Sequence, residues 1–243
     1  MTDPAEQTGP RGLHPAFTDP AAVLVDMDGT LIDSECLWEE AQRRLAEEMG
    51  LRFDAEIRAA TVGTPAEAWL PGWIAKAESD ASLSELIARI EDEVVAGLGQ
   101  EVRLRPGAQA LLDALASSPK PSALVSASVR RIMDAALAGI APCTFSAVVS
   151  GNDVPNPKPH PDPYLLAARM LGVDASLCLA IEDSVTGARS AAAAGCAVVW
   201  IPTSPISAAE PGWHVLNSLE DLDLALLGSR PEHSGASRMA ADH

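Results

Sequence analysis

Residues 21–34, AAVLVDMDGTLIDS, restrict the fold of this chain more than any other stretch. The apolar run 22–25 stops abruptly at Asp26-Met27-Asp28-Gly29-Thr30, which reads as a buried strand delivering two carboxylates at its C-terminal tip. Open α/β sheets place their ligand sites at that end. Side chains alternate along an extended backbone, so Asp26 and Asp28 fall on one side, and Gly29 lets the chain turn at once. Carboxylates this close repel, so a cation, a shared proton or both must hold them there. Taken alone, Asp-Gly-Thr also reads as an ordinary turn. A calcium loop of the EF-hand kind is excluded, because it needs a further oxygen ligand before the glycine and here Gly29 follows Asp28 directly.

Beyond this strand, Ser34 reads as the cap of a helix in which Leu37, Ala41, Leu45 and Met49 recur until Gly50. Thr64-Pro65-Ala66-Glu67 and Ser82-Leu83-Ser84-Glu85 both read as capping boxes. No convincing strand lies between residues 34 and 103, which predicts an all-helical insert of three or four helices. After Arg105-Pro106-Gly107 the pattern changes. Helices over 108–116, 129–138, 162–171 and 185–194 alternate with strands over 122–126, 147–150, 177–181 and 197–201. That alternation predicts an α/β fold, a Rossmann-like parallel sheet with helices on both faces. The expected division is an α/β core domain of residues 17–34 and 104–228, a helical cap domain over 35–103 above the sheet's C-terminal edge, and loose tails at 1–16 and 229–243.

Charge narrows the partners. A net charge of -17 argues against nucleic acid and against an anionic membrane surface. No apolar run approaches the length of about 18 residues that a membrane span needs, and the polar, Pro/Gly-rich N-terminus does not read as a signal peptide. Cys36, Cys143, Cys178 and Cys196 show no ligand or CxxC spacing and read as thiols of a reducing cytoplasm. An anionic substrate must then find local positive charge or a metal.

The later strands also end in polar residues. One ends Val125-Ser126-Ala127-Ser128, a hydroxyl followed by backbone amides at a helix N-terminus, which suits an anion or a plain helix cap. Lys158 lies in Asn156-Pro157-Lys158-Pro159-His160-Pro161-Asp162-Pro163, where prolines stiffen the loop. There it is suited to neutralise a phosphate and carboxylates together, or is a solvated connector lysine. Another strand ends Ile181-Glu182-Asp183-Ser184. One of these acids reads equally as a helix cap, but acid pairs at two strand tips of one sheet form an oxygen-rich site suited to Mg²⁺ and a phosphate ester.

In this order, Asp26-Met27-Asp28-Gly29-Thr30, Ser126, Lys158 and Glu182-Asp183 resemble the four motifs of the haloacid dehalogenase-like hydrolase superfamily. Over residues 21–227 the chain is similar to the phosphatase and β-phosphoglucomutase-like branch, which carries a helical cap. The resemblance implies that Asp26 is the nucleophile that becomes an aspartyl phosphate, and that Asp28 is the general acid and then the base. It implies Ser126 and Ala127 as phosphate-binding residues and Lys158 as the stabilising cation. Mg²⁺ would be held by Asp26, the backbone carbonyl of Asp28 and Asp183, with Glu182 in support. Arg130, just past the Ser126 loop, reads as a substrate grip or as a helix-surface residue.

Within this branch hydrolysis is favoured over mutase chemistry. Mutases that the resemblance brings in carry a cap histidine where this chain has Trp38, and residues 61–66 lack the arginine with which mutases grip a second phosphate. The expectation is a Mg²⁺-dependent phosphatase for a small phosphorylated metabolite. A sugar phosphomutase is the alternative, with a non-catalytic phosphate-binding regulator behind it. Trp38, Trp69 and Trp73, with Lys76 nearby, read either as selectors of the leaving group or, preferably, as the cap's own core. Cap closure is expected to hinge near residues 34–35 and 104–106.

Overall fold

The computed structural model describes residues 15–61, 64–140, 145–203 and 209–228, so Cys143, Val62 and Gly63, nearly all of the expected N-terminal tail and the whole C-terminal one lie outside it. Six parallel strands form one sheet: β1 (Ala22–Val25), β2 (Ser122–Val125), β3 (Ala147–Val149), β4 (Cys178–Glu182), β5 (Ala197–Trp200) and β6 (His214–Val215), in the order β3-β2-β1-β4-β5-β6. Five answer to the apolar runs of the sequence. The edge strand β6 has only two residues, both exposed, and so carries no apolar run to betray it.

The period of two sorts the side chains of β1. Val23 and Val25 enter one apolar cluster with Leu111 of α5 (Ala108–Ser117) and Ile132 of α6 (Arg130–Gly139). Ala22 and Leu24 enter another with Tyr164 of α7 (Asp162–Leu171) and Ala188 of α8 (Val185–Ala193). Each fully buried Val or Leu in these runs contributes roughly 1.5–3 kcal/mol. The central strands are thereby fixed in register, and so are their tips.

Between β1 and α5 the chain inserts four helices, α1 (Glu35–Glu48), α2 (Ala55–Thr61), α3 (Ala66–Lys76) and α4 (Leu83–Gln100). The capping box at Ser82 forms at α4, whereas α3 starts with Pro65 in the N-cap position, one residue later than a box headed by Thr64 requires. Trp69 and Trp73 are buried with their rings 4.6 Å apart, and Phe53 packs edge-on to Trp73 at 6.3 Å. They fill the interior of the helical cap, Trp38 is half-buried against the same cluster, and Lys76 is exposed. The two passages into the insert run side by side: Asp33 N donates to Arg103 O at 2.8 Å and Arg105 N to Leu31 O at 2.8 Å. A second tie joins α6 to α4, where Arg131 Nη2 donates to Glu91 Oε2 at 2.6 Å and to Ala88 O at 2.9 Å. Among the described residues no helix is long and apolar enough to cross a membrane.

Candidate active site

Register builds this site. Val25 pairs with Leu124 on one side and Ile181 on the other, so one residue further along the three strands lie Asp26, Val125 and Glu182. Lys158 reaches all three. Its Nζ donates to Asp26 Oδ1 at 2.7 Å, to Val125 O at 2.9 Å and to Glu182 Oε1 at 2.6 Å. With its side chain only 4% exposed, Lys158 is buried rather than solvated.

Asp183 closes the other side. A Cβ on Gly29, whose φ is +81°, would lie 2.2 Å from Asp183 Oδ2, so the turn after Asp28 and the approach of Asp183 both require glycine there. Trp200 Nε1 donates to the Asp183 carbonyl at 2.8 Å, and the Thr203 and Thr30 hydroxyls donate to its carboxylate at 3.3 and 3.4 Å. Neither acid caps α8. Ser184 does so, accepting from Gly187 N at 3.0 Å.

Asp28 gathers hydroxyls. Ser34 Oγ donates to its Oδ1 at 2.7 Å, while Ser126 Oγ at 3.0 Å and Ser128 Oγ at 2.8 Å donate to its Oδ2. Ser34 therefore occupies the N-cap position of α1 without capping it, contrary to the expectation from sequence. The side-chain rotamer that lets Ser34 Oγ donate to Asp28 leaves no helix amide bonded to that oxygen. Ser126 is likewise no cap of α6, whose N-cap is Val129. Ala127 is exposed beside it. Arg130 pairs with Asp134 at 2.9 Å on an exposed helix face.

Burial and like charge dominate the electrostatics. Burial, then Glu182, raise Asp26 well above the ordinary carboxylate range against the pull of Lys158. The same two causes bring Asp183 to about 7. Burial alone would lower Lys158, but Asp26 and Glu182 outweigh it and hold the ammonium above its usual range. Among the described residues Asp26 Oδ2 is the one buried side-chain oxygen without a hydrogen-bond partner. Ligand atoms of Asp26, Glu182 and Asp183 lie within 4.8 Å of one another. A hard divalent cation fits this all-carboxylate set and the orphaned oxygen. Glu182 is the least free of the three, since Oε1 also accepts from Tyr164 Oη at 2.6 Å and Oε2 accepts from Ser184 Oγ at 3.2 Å.

The model of the haloacid dehalogenase-like hydrolases matches residues 20–195. The chain belongs to this family. It is 31% identical over 175 residues to a phosphorylated carbohydrates phosphatase of Thermotoga maritima, covering 72% of this chain and 81% of that one. It is 32% identical over 227 residues to a bifunctional riboflavin kinase/FMN phosphatase of Arabidopsis thaliana, covering 87% of this chain but spanning only 56% of that longer protein. Among solved structures, a putative β-phosphoglucomutase from Thermotoga maritima shares 28% identity at a TM-score of 0.69, covering 85% of this chain and 96% of that one. As a haloacid dehalogenase-like hydrolase with relatives of this kind, the protein is an enzyme of the phosphatase type.

Sequence reasoning left Ser34, Ser128, Thr203, Trp200 and Tyr164 without a role in the site. Only Ser128 carried a signal, its position two residues beyond Ser126 on the same turn. Tyr164 and Trp200 sit among apolar residues and read as core.

Proposed function

We propose that this hydrolase is a Mg²⁺-dependent cytoplasmic phosphatase that releases inorganic phosphate from a small phosphorylated carbohydrate or similar monoester through an aspartyl phosphate on Asp26. The observation that carries the proposal is the division of Asp26, with Oδ1 held by Lys158 and Oδ2 buried but unpartnered. The unpartnered oxygen is the one left free for a cation, while the bond from Lys158 orients the carboxylate whose other oxygen is the nucleophile. The carbohydrate class is supported by the Thermotoga relative. The free thiols Cys36, Cys178 and Cys196 support the compartment, and burial raises Cys178 to about 11 and Cys196 to about 12, which leaves those two unreactive.

In this mechanism an oxygen of Asp26 attacks phosphorus, the bond to the ester oxygen breaks, and Asp28 in its acid form donates a proton to the departing alkoxide. Asp28 then takes a proton from water, whose oxygen attacks phosphorus and breaks the bond to Asp26. The hydroxyls of Ser126 and Ser128 hold Asp28 Oδ2 in the free enzyme. They turn to the phosphate oxygens when ester binds, together with the amide of Ala127, and so release Asp28 toward the leaving oxygen. Asp26, the Asp28 carbonyl and Asp183 would hold Mg²⁺, which would supply the positive charge that screens phosphate from the carboxylates. Lys158 neutralises charge on Asp26 throughout. Arg130 joins the substrate only by leaving Asp134.

Phosphate release from sugar, polyol and nucleotide monophosphates tests this reading. Release is expected to need Mg²⁺ and to fall by roughly 10³-fold or more in Asp26→Asn. Release that survives Asp26→Asn refutes it. The likeness to a putative β-phosphoglucomutase makes sugar-phosphate isomerisation the second reaction to assay.

A further inference from the structure

Tyr164 is the chain's single tyrosine, fully buried in the first turn of α7. Its hydroxyl donates to Glu182 Oε1 at 2.6 Å, the same oxygen that receives Lys158 Nζ at 2.6 Å. Its ring lies beneath that ammonium, with Nζ 5.2 Å from the centroid. One side chain thus touches both charged partners, Glu182 by its hydroxyl and Lys158 by its face. Each contact restrains something otherwise loose. Lysine carries about 2 kcal/mol of rotamer entropy along its stem, and the negative face of an aromatic ring attracts the ammonium at its end. The second donor on Oε1 stops the Glu182 carboxylate from rotating away from Lys158. Burial and the neighbouring Glu182 keep the phenol protonated, hence a donor.

We propose that Tyr164 is a positioning residue that holds Glu182 and Lys158 in the arrangement that presents Asp26 to phosphorus. The proposal rests on the phosphatase reading for its kinetic consequence, but not for its geometry. Tyr164→Phe keeps the ring and removes the donor. It is expected to lower kcat about tenfold while KM stays within about twofold, the size of one hydrogen bond to a charged group lost mainly in the transition state. Tyr164→Leu removes both contacts and is expected to cost roughly a hundredfold. In a Glu182→Gln background the Tyr164→Phe effect is expected to shrink to within about twofold, because the hydroxyl acts through that carboxylate.

A second readout needs no turnover. Acylation of Lys158 followed by mass spectrometry, referenced to Lys76 and Lys120, is expected to run several-fold faster in Tyr164→Phe than in the wild type, since Lys158 leaves its buried position more often. A role in packing alone would lower Tm, leave kcat as it is, and raise Lys158 labelling no more than the measured loss of global stability accounts for. Labelling that rises no further than that overturns the proposal whatever kcat does, and so does a wild-type kcat in an active Tyr164→Phe enzyme. If the wild type hydrolyses no ester, the phosphatase reading fails, and labelling alone still decides whether Tyr164 holds Lys158.

Discussion

Chelation of divalent cations is expected to destabilise this protein progressively as pH rises from about 5 to about 8, and Mg²⁺ is expected to remove most of that loss. The sign follows from Asp183, whose carboxyl is raised from 3.8 to about 7 by burial and by Glu182. Between those values the folded protein holds a proton that the unfolded chain has released, so raising the pH favours unfolding. Of that shift about two pH units fall between pH 5 and the folded value near 7, which at about 1.4 kcal/mol each sets an upper bound near 3 kcal/mol for this window. Asp26 is shifted in the same direction. The lowered carboxyls of Asp19, Glu40, Glu85 and Asp174 act oppositely, but only below the ordinary carboxylate values of 3.8 and 4.5, outside this window. Mg²⁺ binds the deprotonated carboxylates, and at a hundredfold excess over Kd it contributes about 2.7 kcal/mol. For a chain of this size that corresponds to a Tm shift of roughly 5–10 °C. Thermal unfolding followed by circular dichroism, with chelator and with Mg²⁺ across the pH range, measures it. A chelated Tm that is flat or rises over this range, or a Mg²⁺ effect equal at both ends, refutes the reasoning.

Lys158→Met removes the one ammonium among the described residues that is bonded to Asp26 and Glu182, and is expected to cost about 3–5 kcal/mol at neutral pH, as broken buried ion pairs do, with part regained near pH 5. Urea midpoints at the two pH values check it, and a neutral-pH midpoint equal to wild type contradicts it. Gly29→Ala forces its Cβ onto Asp183 Oδ2 and adds about 1–2 kcal/mol of left-handed backbone strain. Calorimetry is expected to show Mg²⁺ affinity at least about tenfold weaker, and unchanged affinity would mean that Asp183 does not depend on this approach.

The frame was legible because its central strands are unbroken apolar runs, two of which end in acids. Ala22–Val25 and the run before Glu182 announce buried strands, and the acids at their ends are conspicuous because nothing in a core tolerates them without partners. Lys158 was legible for a related reason, the prolines around it. What stayed hidden depends on where a side chain turns once the chain is folded. Ser34 before a helix reads as a cap, and only the nearness of Asp28 redirects its hydroxyl. Tyr164 reads as core until the register of β4 brings Glu182 against it. Arg130 and Asp134 are the converse: their spacing of four already offered a surface ion pair, which the folded helix makes.

These hidden contacts share one electrostatic problem. Asp26, Glu182 and Asp183 gather around a single ammonium, so in their ionised form the centre is negative before any substrate arrives. A phosphomonoester brings about −1.5 to −2 more at neutral pH. Lys158 cannot offset that alone, because its charge is already shared between Asp26 and Glu182. The raised carboxyls are the protein's answer in the absence of a cation, since they keep protons that ordinary aspartates release. A divalent cation displaces those protons and leaves the carboxylates ionised, which is the state a nucleophilic Asp26 requires. In the proposed mechanism the acidity of the site, the orphaned Oδ2 and the need for a cation are therefore one property. Removing one of these acids to stabilise the apoprotein is therefore expected to weaken cation binding and, in the proposed mechanism, to slow attack by Asp26.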